Sequence, residues 1–235
     1  MTLEDTHIMS AFDRDLEALQ AHLMRMGGLV EAALMSAVQS LETHDLAAAD
    51  RVVSGDSAID LLEELIQTEA ATLIARRAPT ASDLRLVLAT MRAATSLERV
   101  GDHAKNVAKR TRIIERSAPV EAHSGTIRRM AMMATKMLDD AQTALVRKDA
   151  ALAMDVRSRD VDLDQMYNTL FRSLFTYMME SAVNIGPAMH LHFIAKNVER
   201  AGDHATSIAE QAYYLATGSM PVEPRPREDT TSVSG

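Results

Sequence analysis

The chain has no cysteine and no tryptophan, and aromatic residues make up only 3% of its 235 positions. Without cysteine there is no disulfide framework and no thiolate metal site, and a reducing compartment suits the composition. No window reaches the ~20 apolar residues needed to span a bilayer. The opening "MTLEDTHIMSAFDRD" has early acids and no apolar run of signal-peptide length. A cytoplasmic protein is expected. Also missing are a Gly-rich phosphate loop, a nucleophile elbow and a His-Glu-xx-His zinc motif. The Glu-xx-His pair of ferritin-like dimetal oxidases occurs only as "EDTH" at Glu4. No catalytic residue is assigned on this basis, and an enzyme is not expected. A formal charge of -8 argues against a nucleic-acid partner, because affinity for phosphate backbones comes from clustered Lys and Arg.

What the chain does contain is 47% hydrophobic residues, including 16 Met, so its core must be built from Leu, Ile, Val, Ala and Met. Such a core suits packed helices. Pro79, Pro119 and Pro187 punctuate long stretches of helical periodicity, and Pro221, Pro224 and Pro226 crowd the tail. Six helices are predicted, at roughly 8–43, 45–76, 81–116, 121–147, 149–181 and 187–217, with no proline inside any of them. The polar stretch from Ser219 is expected to be disordered.

Two segments repeat. "ERVGDHAKNVA" from Glu98 matches "ERAGDHATSIA" from Glu199 at seven of eleven positions. Upstream, "LETHDLAAADRVVSGDSAID" from Leu41 aligns with "LVRKDAALAMDVRSRDVDLD" from Leu145, pairing Asp45 with Asp149, Asp56 with Asp160 and Asp60 with Asp164. The offset is 104 upstream and 101 at the later motif. The expected fold is therefore all-α, two tandem, internally duplicated three-helix bundles at residues 1–118 and 119–218, followed by a disordered tail at 219–235. Heptad-like spacing of Ala93, Leu97, Val100, Ala104 and Val107, and of Leu191, Ile194, Val198, Ala201, Ala205, Ile208, Ala212 and Leu215, marks the packing seams.

Residues four apart on a helix lie within about 40° of each other, so Glu98 and Asp102 share a face, as do Glu199 and Asp203. That face points roughly 130–170° away from the seam. Asp56 with Asp60, and Asp160 with Asp164, repeat the spacing on the second helix of each unit. Like charges at this spacing cost about 0.2–0.5 kcal/mol per pair, so four duplicated pairs ask for compensation. A hard divalent cation such as Mg2+ or Mn2+ would supply it, and an oxygen-rich iron site is chemically possible. Salt bridges from Arg99, Lys105 and Arg200 could serve instead, and a plain solvated helix face is the simplest alternative. Asn106 extends the stripe in the first copy where Ser207 stands in the second. His103 and His204 lie about 100° around the helix and read as flanking groups. Gly101 and Gly202, each costing roughly 1 kcal/mol in a helix, predict close approach of another backbone.

"MRMGGLVEAAL", "PTASDLRLVLATMRAATSLERVGDHAKNVAKR", "TYMME" and "NVERAGDHATSIAE" resemble the PhoU family of bacterial phosphate-signalling regulators over residues 10 to 215. The resemblance implies two helical bundles, a homodimer, and a negative regulator of the phosphate-starvation response and of phosphate uptake. It implies an adaptor at the cytoplasmic side of the inner membrane, peripheral through its partners. Those partners would be the Pst phosphate ABC transporter, through its ATPase PstB, and the sensor histidine kinase PhoR. It further implies metal at the acid motifs, matching Asp56, Asp60, Glu98, Asp102, Asp160, Asp164, Glu199 and Asp203. Two other classes remain open: a carboxylate-bridged metal-dependent enzyme, and a metal-free structural bundle.

Overall fold

The computed structural model describes residues 3–115 and 121–222, with side chains over 12–114 and 122–222. Six helices follow in order: α1 (Leu3–Thr43), α2 (Leu46–Arg77), α3 (Ala81–Glu115), α4 (Glu121–Arg147), α5 (Ala150–Glu180) and α6 (Ala182–Thr217). The expected divide between units falls at 116–120, and most of the expected disordered tail at 223–235; both lie outside the described residues.

The duplication is visible in how the helices begin. His44 follows α1 and Lys148 follows α4, both left-handed with φ near 54° and 52°, and each is followed by an aspartate. Asp45 accepts a hydrogen bond from the Ala48 amide at 2.9 Å, and Asp149 accepts from Ala151 and Leu152 at 3.0 Å each. Each cap contributes about 1 kcal/mol by satisfying amides that the first helical turn leaves free. The Asp45 and Asp149 amides in turn bond to the Ser40 and Ala144 carbonyls, closing the preceding helices in the same way.

α2, α3, α6 and α5 pack side by side in that order, with α1 and α4 lying across one side of the row. α3 and α6 run antiparallel at the centre, since Arg92 bonds to Gln211 at 3.2 Å and Arg110 approaches His190 at 3.3 Å. α1 and α4 are antiparallel too, as Glu42 pairs with Arg128 and Glu31 with Gln142. The two copies therefore face each other about an approximate two-fold axis. Both seams are buried: Leu97, Val100, Ala104 and Val107 on α3, and Leu191 through Ala212 on α6, are fully enclosed, with Leu215 partly so. Met26, Met130 and Met137 fill the core, whereas Met132 and Met179 face outward, so the Met-rich stretches serve both packing and surface.

Two helix starts differ from expectation: α1 begins at Leu3 instead of near residue 8, and α6 begins five residues before Pro187. α6 starts at Ala182, capped by Ser181, and runs through Pro187. Proline suits the helical φ, and its cost is the unanswered carbonyl of Val183. Val183 is 77% exposed, so water can satisfy that carbonyl.

Candidate carboxylate clusters

The duplicated acids meet in pairs of helices. α2 and α3 bring together Asp56, Asp60, Glu98 and Asp102; α5 and α6 bring together Asp164, Glu199 and Asp203, with Asp160 set against Gly202 and Thr206 of α6 beside them. They do not all lie on a solvated outer face, as the angular reading suggests. Asp56, Asp160, Asp164 and Glu199 are at most 4% exposed. Glu199 is buried because α6 is central in the row and buries more than one face, so a direction away from its seam points at α5; Asp56, Asp160 and Asp164 are buried because they lie where α2 packs on α3 and α5 packs on α6.

The glycines explain how the acids fit. A Cβ at Gly101 would lie 3.1 Å from Ile59 Cδ1 and 3.5 Å from Asp56 Oδ1, and one at Gly202 only 2.2 Å from Leu163 Cδ2 and 3.7 Å from Asp160 Oδ1. It is therefore a side chain, not a backbone, that occupies each recess. The closer contact at Gly202 fits the deeper burial of the second cluster.

The two copies balance their charge differently. In the first, Lys105 of α3 bonds to Asp56 and stands 3.8 Å from Asp102, while Arg99 pairs with Glu98 at 3.5 Å. Thr206 replaces that lysine in the second copy and donates to Asp160 Oδ1 at 3.4 Å. Lys196 brings a cation to that cluster, 3.0 Å from Glu199 and over the Tyr167 ring at 4.9 Å. Thr95 takes its place in the first copy and donates to Glu63 Oε1 at 3.0 Å, which Gln67 also reaches at 2.9 Å. Glu63 is thus a fifth acid beside Asp60 and Glu98, and Tyr167 occupies its place in the second copy. Its position three residues after Asp60 and four before Gln67 was readable as a stripe on α2.

Electrostatics follow burial. Partial desolvation and then Asp56 push Asp60 upward; desolvation and then Asp102 do the same to Glu98. Burial, and next the Asp203 charge, raise Glu199 to about 7 against the pull of Lys196. Glu199 Oε2 is buried with no hydrogen-bond partner. Among the described residues, no three His, Asp or Glu side chains are grouped so that they could hold one ion as they stand.

Between the clusters, His103 and His204 meet across the α3–α6 contact with ring centroids 5.5 Å apart. Burial lowers both, His204 to about 4, with the neighbouring histidine and arginines adding to the effect there. Both rings are neutral at neutral pH. Asn197 donates its amide to the Phe193 carbonyl at 2.7 Å, so its oxygen is left to accept from His103 Nδ1 at 3.0 Å. The histidines thus join the two halves of the molecule instead of completing either cluster.

Comparison with known proteins agrees with this architecture. A model of the PhoU domain matches twice, at residues 23–111 and 127–212. The chain is 42% identical over 233 residues to a Rhizobium meliloti protein named phosphate-specific transport system accessory protein PhoU homolog, covering 99% of this chain and 98% of that one. A Xylella fastidiosa protein of the same name is 41% identical, covering 96% of this chain and 93% of its own. Among solved structures, PhoU from Pseudomonas aeruginosa superposes with a TM-score of 0.84 at 37% identity, over 88% of this chain and all of the other. The phosphate transport system regulatory protein PhoU from Streptococcus pneumoniae gives 0.79 at 27% identity, over 89% and 99%.

Proposed function

Because the chain belongs to the PhoU family, we propose that it is a non-enzymatic accessory regulator of phosphate transport that restrains the phosphate-starvation response when phosphate is plentiful. In this reading it is a homodimeric adaptor on the cytoplasmic side of the inner membrane, joining the Pst transporter, through PstB, to the sensor kinase PhoR. Attachment in this reading is peripheral, through those partners; among the described residues no helix is long and apolar enough to cross a membrane.

The observation that favours an adaptor is the end of the α5–α6 hairpin. Phe175, Met179, Val183, Ile185, Met189 and Phe193 are 38–77% exposed there. From Ser173 to Ala195 the only Asp, Glu, Lys or Arg is Glu180. The corresponding end of the first copy reads "RRAPTASD", which is charged and polar. One fold therefore tolerates a polar end, and the apolar one offers a surface for partner proteins. Deleting the gene should leave phosphate-responsive genes switched on in phosphate-rich medium. If they stayed silent, negative regulation would be the wrong reading.

A second reading concerns the clusters. An all-oxygen donor set, acids pushed upward by burial and then by one another, and a buried Glu199 oxygen without a partner together suit a hard divalent cation. Asp56, Asp60, Glu98 and Asp102 would hold it in the first copy, and Asp160, Asp164, Glu199 and Asp203 in the second. Mg2+, Mn2+ or iron would each supply the missing positive charge. Lys105 and Lys196 would be its internal competitors.

A further inference from the structure

α1 and α4 cross between the two copies, and their contact contains a polar group that the duplication does not require. Gly27 leaves a recess on α1 into which the Gln142 amide of α4 is pressed; a Cβ there would sit 1.8 Å from Gln142 Oε1. Gln142 is 1% exposed. Its Nε2 is shared between Glu31 Oε1 and the Leu138 carbonyl, both at 3.3 Å, and its Oε1 has no partner. Glu31, half-buried on α1, thus receives a long, shared hydrogen bond.

Burial and then Asp139 oppose the ionisation of Glu31, while the long hydrogen bond from Gln142 and then Lys136 favour it without offsetting them. Asp139 and Lys136 both belong to α4. Lys136 is already committed to Asp139 at 3.0 Å and Asp140 at 2.8 Å. Arg159 of α5 is likewise taken by Asp140 and Asp155. At the same offset of 104, the corresponding residues of the other copy are Val38 for Gln142, Ala131 for Gly27 and Thr135 for Glu31. None of these ionises, so the fold does not depend on an acid at this place.

We propose that the α1–α4 contact is a proton-operated latch between the two halves, closed when the Glu31 carboxyl is neutral and loosened when it ionises opposite Asp139. Burial, with Asp139 behind it, supports the required range by raising Glu31 from 4.5 to about 7. The folded chain then holds a proton that the unfolded chain has released. Stability present below 4.5 is lost as pH rises toward 7, and stays lost above it.

The test is carboxyl-resolved NMR of the full chain from pH 4 to 8, with hydrogen-exchange protection read along α1 and α4 and corrected for intrinsic rates. The Glu31 carboxyl should titrate near 7, and Asp139→Asn should lower its midpoint. Protection around Gly27 to Leu34 and Leu138 to Leu145 should fall about tenfold between pH 6 and 8, the factor for the one pH unit below the midpoint over which the folded chain still holds a proton that the opened chain has released. Glu31→Gln should hold its pH 6 protection at pH 8. Glu199 titrates in the same range, but α5 and α6 report it separately. An ordinary carboxylate midpoint for Glu31, or an equal loss of protection in Glu31→Gln, would overturn the latch. If Glu31→Gln failed to fold, the wild-type titration and Asp139→Asn would still decide.

Discussion

Val100→Asp should abolish the folded first bundle. Val100 is fully buried at the centre of α3, between Leu97 and Ala104 on the seam. Replacing it removes about 1.5–3 kcal/mol of apolar burial and buries a carboxylate with no cation beside it, at a further cost of several kcal/mol. That sum is comparable to the ~5–15 kcal/mol that stabilises a whole domain. Circular dichroism should show a large loss of helix, with exchange protection disappearing first from α1, α2 and α3. The control is Glu98→Ala combined with Glu199→Ala, which should leave the fold intact. Each of those carboxylates sits beside another that opposes its charge, and neither fills the seam. A melting temperature for Val100→Asp within a few degrees of wild type would show that the seam is misplaced.

Adding Mn2+ or Mg2+ to protein freed of metal should raise the melting temperature. A cation that binds only the folded chain stabilises it by about 2.7 kcal/mol at a hundredfold excess over Kd, which is roughly 5–10 °C for a chain of this size. Asp60→Asn with Asp102→Asn should diminish that shift while leaving the chelator-treated protein at least as stable as wild type. The second outcome follows from relieving the repulsion that pushes Asp60 and Glu98 upward. No shift with any divalent ion would favour the metal-free bundle. Redox turnover by the loaded protein, lost in Asp102→Ala, would instead favour a metalloenzyme.

Much of the helical plan was legible in the sequence because prolines, caps and heptad spacing are local signals. Asp45 and Asp149 align in the repeat, and both turn out to cap helices. Pro187 misled because the sequence does not reveal how exposed the carbonyl four residues earlier will be. The glycines correctly announced close contact, but which atoms approach depends on Ile59 and Leu163, which lie on a different helix. The acid faces were half legible: the spacing places each pair, yet only packing shows that α3 and α6 are central, so that an outward direction on an isolated helix becomes an inward one. The exchange of Lys105 for Thr206 was visible in the alignment, and that of Thr95 for Lys196 lies three residues ahead of it at the same offset. Its meaning, a cation supplied from opposite ends of the same motif, needed the structure.

The adaptor reading is tested most directly by capture of partners from inner membranes of cells grown in high phosphate. Tagged wild-type protein should retain PstB and PhoR, and a variant carrying Met179→Glu with Val183→Glu, folded by circular dichroism, should lose at least one of them. Failure of the wild-type protein to retain either partner would contradict the account.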